Sequence, residues 1–191
     1  MNRVSDDHMN EKKLFFGIPL EPRSQKRILR AEEGWDTLPL FLSRPEFLHV
    51  TVFFMGFLKN EDIAGISEAA RRICAEVEPF DIVFDEITLA PDTDEPKMIW
   101  LSGVENESLL LLRNAFEREF SEKLAENKRF RPHVTLARIR RSRWSALSPE
   151  KLPAFPIPIS IVESVSSVVL FESTTEGGGR QYIPLDEYPL G

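Results

Sequence analysis

Two short runs of one make-up, His49-Val50-Thr51 and His133-Val134-Thr135, hold both histidines outside the N-terminal segment; the third is His8. Each run sits among apolar residues, as HVTVFF at 49–54 and HVTLAR at 133–138. In a β-strand, residues i and i+2 point to one face. His49 then lies beside Thr51, and His133 beside Thr135, while Val50, Val52, Val134 and Leu136 point into a core. An imidazole, with an ordinary pKa of about 6.5, takes or gives a proton near neutrality. Two of them, one charged and one neutral, suit a reaction that removes one proton and delivers another. In-line displacement at phosphorus is such a reaction. Threonine hydroxyls can donate to the non-bridging oxygens, and a nearby arginine can balance the growing charge.

One such run carries little weight, because strand histidines commonly pack or face solvent and threonine favours strands. Two carry more. With 42% apolar residues and 7 threonines among 191, a given histidine heads an apolar-Thr-apolar triplet by chance roughly once in 150. Metal binding is the competing chemistry, but it needs a third ligand. The histidines and the single cysteine, Cys74, supply none at suitable spacing. No phosphate-binding loop, dinucleotide glycine pattern or G-x-S-x-G is present, so neither a metal nor another cofactor is expected.

Strands and helices alternate around these runs. KLFFGIPL at 13–20 reads as a strand ended by proline, and Pro22 suits the first turn of a helix over 23–34 that stops near Gly34. After the first histidine strand, Asn60 is a candidate cap for a helix over 61–78. Strands follow over 80–91 and 97–103, then a helix over 107–126 with Leu109, Leu112, Phe116, Phe120 and Leu124 on one face. Beyond the second histidine strand come a basic irregular segment, a proline-rich KLPAFPIPI, and closing strands over 159–172 and 180–185 flanking a loose TTEGGG loop. Leu14 precedes His49 by the same 35 residues as Met98 precedes His133. Each half therefore reads strand, helix, histidine strand, as in a duplicated unit. The expected fold is α+β, with two similar lobes of antiparallel sheet and flanking helices around a central cleft. Residues 1–11 read as a mobile tail and 12–191 as one bilobal domain.

The balance of 24 Lys and Arg against 31 Asp and Glu gives a net charge of −7. A broad basic face for coating long nucleic acid is excluded, whereas a small anion or one RNA end is not. Basic residues concentrate around the second histidine, where KRFRPHVTLARIRRSRW at 128–144 holds seven Lys or Arg and no acid. No apolar run approaches the roughly 18 residues of a membrane span, and the start lacks a secretory apolar segment. The cytoplasm is the expected compartment, with no membrane association and no obligate protein partner implied. Cys74 reads as a small buried apolar residue.

At this point PEFLHVTVFFMG and RFRPHVTLARI resemble the two motif blocks of the two-histidine phosphoesterase superfamily, in its RNA 2′,3′-cyclic phosphodiesterase (2′-5′ RNA ligase) branch. KLFFGIPLEP and the closing VVLFES…GGGRQYIPLDEYPL resemble that family's first and last strands, so the likeness covers about residues 12–190. It implies opening of RNA 2′,3′-cyclic phosphate ends to a 2′-phosphate, with reverse 2′-5′ ligation as a minor companion. His49 would be the proton donor to the leaving 3′-oxygen and His133 the acceptor from water. Thr51 and Thr135 would hold phosphate oxygens, and Arg138 matches a family arginine that contacts the phosphate. Strand parity alone favours Arg131, two residues before His133; a bulge after Leu136 would turn Arg138 inward instead. Phe15 and Phe16 offer rings for a base but suit core packing better. Phe47 stands where relatives often carry a polar residue, which bears on substrate preference. The implied partners are RNA ends or small cyclic-phosphate nucleotides. Alternatives with the same site are cyclic nucleotides, 2′-5′ oligonucleotides or an ADP-ribose cyclic phosphate. A non-catalytic RNA-end binder is the alternative of another class, though a binder has no need of two groups titrating near neutrality.

Overall fold

The structure, a computed structural model, describes residues 11–121, 130–176 and 179–191. Residues 1–10 of the expected tail and Leu124 lie outside these residues, whereas Glu11 already opens the first strand. The helix expected over 107–126 ends at Phe120, where Ser121 turns extended.

Aromatic and branched residues make β1 (Glu11–Pro19), and Pro22 opens α1 (Pro22–Ala31), which Glu32 caps before Gly34 turns the chain at φ +83°. A short β2 (Leu40–Leu42) precedes β3 (His49–Lys59). Asn60 opens a 3₁₀ turn rather than capping a helix, so α2 (Ile63–Ala75) starts at Asp62 with no side-chain cap. Next come β4 (Phe80–Ala90), β5 (Met98–Gly103) and α3 (Glu107–Phe120), where Asn106 Oδ1 accepts from the Leu109 amide at 2.8 Å. β6 (His133–Ile139) leads into α4 (Arg141–Trp144), a helical turn inside the segment expected to be irregular. The closing 159–172 stretch breaks at Ser166 into β7 (Ile157–Val165) and β8 (Ser167–Glu176). β9 (Gly179–Pro189) then pairs back, with Thr174 opposite Gln181 and Thr175 opposite Arg180. The loop expected at TTEGGG is therefore mostly strand.

The expected α+β architecture with antiparallel sheet is present. Among the described residues all strands join one sheet, in the order β7-β4-β5-β6-β3-β1-β8-β9, with β2 beside β6. The two lobes are the halves of this sheet, meeting where β6 touches β3. Each half repeats the other in order, β6-β5-β4-β7 against β3-β1-β8-β9. The helices cross over. α1, between β1 and β3, docks on β7, where the buried Glu163 Oε1 accepts from the Glu21 amide at 2.6 Å. α3, between β5 and β6, packs on the other half, its Phe116 ring 4.3 Å from Phe16. Burying such rings contributes about 1.5–3 kcal/mol each, so the crossing helices tie the halves together. Cys74 is fully buried in this core, as expected, and burial pushes its thiol up to about 12.

Glu32, at the end of α1, is only 8% exposed, and its Oε1 has no hydrogen-bond partner. Burial raises its pKa to about 7 from an ordinary 4.5. The folded chain thus keeps a proton that the unfolded chain has lost, and stability falls as pH rises from about 4.5 through about 7. Glu32→Gln should raise the unfolding free energy at pH 8 by about 1–3 kcal/mol, with the difference vanishing near pH 4. Thermal melts of both proteins across that range check it.

Candidate active site

The seam between the halves is one residue pair, Val50 opposite Val134. Both side chains are buried, at 0% and 1% exposure. Strand alternation then turns the flanking residues to the other face, with His49 across from Thr135 and Thr51 across from His133. All four line one cleft. The two imidazoles are therefore diagonal neighbours on one sheet face, each beside a hydroxyl from either strand.

The same irregularity follows each motif. Between β1 and β3 the register shifts after Thr51: Gly17 pairs with Thr51 but Phe16 with Phe53, leaving Val52 as the extra residue. Between β5 and β6, Trp100 pairs with Thr135 but Ile99 with Ala137, leaving Leu136 extra. Such a bulge inverts the alternation. Leu136 and Ala137 are both fully buried, and Arg138 swings back to line the cleft. Phe54, at the matching sixth position of the first motif, does the same. The bulge at Leu136 is the device that parity alone lacks. Arg131 precedes the start of β6, so strand alternation does not reach it. Its side chain is exposed and outside the cleft lining; its carbonyl is what the site uses.

Each histidine is tethered in the same way. Nδ1 of His49 lies 2.7 Å from the Phe47 carbonyl, and Nδ1 of His133 lies 3.2 Å from the Arg131 carbonyl. A carbonyl can only accept, so Nδ1 carries the proton and Nε2 of the neutral ring is left free for chemistry. Rings brace both imidazoles. Trp100 stacks on His133 with centroids 4.0 Å apart, and Phe15 lies 4.9 Å from His49. Gly17, at the register position equivalent to Trp100, makes room: a Cβ there would sit 3.2 Å from Cδ2 of His49. Phe16 is core, whereas Phe15 floors the cleft within an aromatic cluster of Phe171 and Tyr182.

β9 adds residues that the motifs do not announce. Arg180 and Tyr182 line the cleft, the Tyr182 ring standing edge-on to His49 at 4.9 Å. Ser43, Lys13 and Ser173 complete its polar rim. The lining contains Lys13, Arg138 and Arg180 and no carboxylate, in a chain whose net charge is −7. Among the described residues no group of three or more His, Cys, Asp or Glu is placed to hold a metal ion. Acid and base, hydroxyl donors and cations around a carboxylate-free cleft suit transfer at an anionic phosphorus centre.

Comparison with known families gives the same direction. Residues 24–173 match the model of the 2′-5′ RNA ligase superfamily. This chain belongs to that family. It is 27% identical over 190 residues to the RNA 2′,3′-cyclic phosphodiesterase of Geobacillus stearothermophilus, covering 95% of this chain but 58% of that one. The chain thus spans less than two thirds of that relative's length. Its fold is similar to the crystal structures of TT0787 of Thermus thermophilus and of E. coli LigT in apo form. TM-scores are 0.77 and 0.75, both at 22% identity, covering 93% and 95% of this chain and 97% and 98% of theirs.

Within this cleft, both imidazoles are held below their ordinary pKa. Burial is the main cause for each; the tethering carbonyls oppose it, and nearby positive charge reinforces it, His133 acting on His49 and Arg113, on α3 outside the cleft lining, on His133. Both rings should therefore be neutral at pH 7. Nuclear magnetic resonance titration of the free protein should show both histidines titrating below 6.5, as macroscopic values of a coupled pair. Arg113→Gln should move the His133 transition upward and leave that of His49 nearly in place.

Proposed function

We propose that this protein hydrolyses 2′,3′-cyclic phosphates at RNA ends, leaving a 2′-phosphate. The observation that carries the reading is the pair of imidazoles on one face, each with Nδ1 tethered to a carbonyl and Nε2 free. Water attacks phosphorus opposite the 3′-oxygen. Nε2 of neutral His133 takes the water proton as the P–O bond forms. Nε2–H of protonated His49 gives its proton to the departing 3′-oxygen as that P–O bond breaks. The protons then re-equilibrate with solvent. The shorter tether at His49, 2.7 Å against 3.2 Å, supports the assignment, because a closer carbonyl better stabilises an imidazolium. Thr51 and Thr135 donate to the non-bridging oxygens, and Arg138 balances their charge.

The relatives named as RNA 2′,3′-cyclic phosphodiesterases support the activity, and E. coli LigT crystallised with phosphate and with 3′-AMP supports the ligand class. By microscopic reversibility, a 5′-hydroxyl in place of water returns a 2′-5′ linkage, so weak ligation accompanies hydrolysis.

On a 2′,3′-cyclic-phosphate RNA, His49→Ala and His133→Ala should each lower kcat/KM by about 10²–10⁴-fold. The double variant should lose less than the product of the two, since the groups act in one step. Thr51→Ala or Thr135→Ala should cost roughly 1–3 kcal/mol of transition-state stabilisation. Folded His133→Ala with near-normal turnover would end this reading.

The pH profile of kcat/KM should be a bell reporting the free protein. With both imidazoles below 6.5, its maximum should fall on the acid side of that value and lose one limb in each histidine variant. Activity should also survive EDTA. Abolition by the chelator with rescue by a divalent metal would point to a metal-dependent mechanism instead.

A further inference from the structure

A second hollow opens off the cleft and shares Ser43, Phe47, Arg138, Arg180 and Tyr182 with it. Its outer wall is β2 and the turn that follows, with Phe41, Leu42 and Arg44. Phe41 is 58% exposed and Leu42 41%, although Leu40 of the same strand is buried. Phe41 pairs in register with Arg138, so the two share a sheet face beside the cleft. The Arg140 guanidinium lies 4.0 Å from the Phe41 ring centre, and that of Arg44 lies 5.9 Å from the Phe47 ring centre. Rings and guanidiniums thus alternate along a path leading out of the cleft. Arg44, Arg138 and Arg180 face a single acid in its lining, Asp36.

Cations that meet phosphates, set between rings that meet bases, are the means by which proteins hold single-stranded nucleic acid. Charge favours an anionic occupant: three arginines and one acid line the hollow of a net acidic chain, where a polyanion would leave the catalytic cleft. We infer that this hollow binds the nucleotides immediately preceding the terminal cyclic phosphate of a single-stranded RNA. A base stacks on Phe41, and backbone phosphates meet Arg44 and Arg180. The hollow makes the protein a length-sensitive enzyme, favouring an RNA end over a free cyclic mononucleotide. This inference rests on the proposed function.

The test compares initial rates on a 2′,3′-cyclic mononucleotide and on a short single-stranded RNA ending in the same group. Phe41→Ala and Arg44→Gln, both at exposed positions and verified as folded by thermal melts, should each lower kcat/KM for the RNA about tenfold. The change should be chiefly in KM, with the mononucleotide unaffected. Arg44→Gln should also make the log–log salt dependence of RNA binding shallower by about 0.7. Phe57→Ala serves as the control outside the hollow: Phe57 is 68% exposed on β3, beside Lys13, and is not part of the hollow's lining. Equal losses on both substrates, no loss on either, or a loss specific to Phe57→Ala would overturn the path along β2. Fluorescence anisotropy with the same RNA ending in a 2′-phosphate reads the hollow without turnover. Weaker binding by Phe41→Ala supports the hollow even if the wild type opens neither substrate, a result that would sink the proposed activity instead. Unchanged anisotropy overturns the hollow.

Discussion

The packing of Val50 against Val134 sets the geometry of everything around it. It is the sole ladder pair between β3 and β6, and both side chains are pinned in the core by burial. Turning either valine outward would cost its burial and flip a histidine and a threonine inward. The reactive face is thus fixed by the apolar face beneath it. The crossing of α1 and α3 onto opposite halves makes the seam durable despite its short ladder, since neither half can move without uncovering the other's helix.

The paired bulges after Thr51 and Thr135 do a second job. A strict alternation would send the residue three positions beyond each threonine into the core. The extra Val52 and Leu136 absorb one step each, so Phe54 and Arg138 reach the cleft while the valines stay buried. One half thereby contributes a ring and the other a guanidinium at equivalent places. Equivalence also governs the next strands, where Gly17 leaves room for His49 and Trp100 fills against His133. A symmetric scaffold has acquired asymmetric walls.

Burial and tethering oppose each other at the histidines. Taking an imidazole out of water favours its neutral form, and a carbonyl on Nδ1 favours the cation. Burial wins at both, yet the carbonyl keeps the proton on Nδ1 and leaves Nε2 toward the cleft. The surrounding lining, cationic and free of carboxylates, suits an anion, whose negative charge would favour the protonated form of an adjacent imidazole.

Much of this was written locally. The two H-V-T runs, their strand character, the basic segment around the second and the repeated 35-residue offset all follow from composition and period, because a strand's alternation fixes which side chains share a face. The same local rules placed the first two helices and the start of the third to within a turn, but carried the third past its end at Phe120. Local rules could not see that β7 and β8 part at Ser166, that Leu40–Leu42 forms a strand, or that Arg141–Trp144 is helical, since these depend on partners far along the chain. Nor could they choose between Arg131 and Arg138: that decision belongs to a bulge, which is a property of two paired strands. Arg180 and Tyr182 come to the cleft only because β9 pairs with β8 and β8 with β1. Local pattern alone named the candidate groups and the face they share. Their neighbours were chosen by the assembled fold, because register between distant strands is set by the core they bury together.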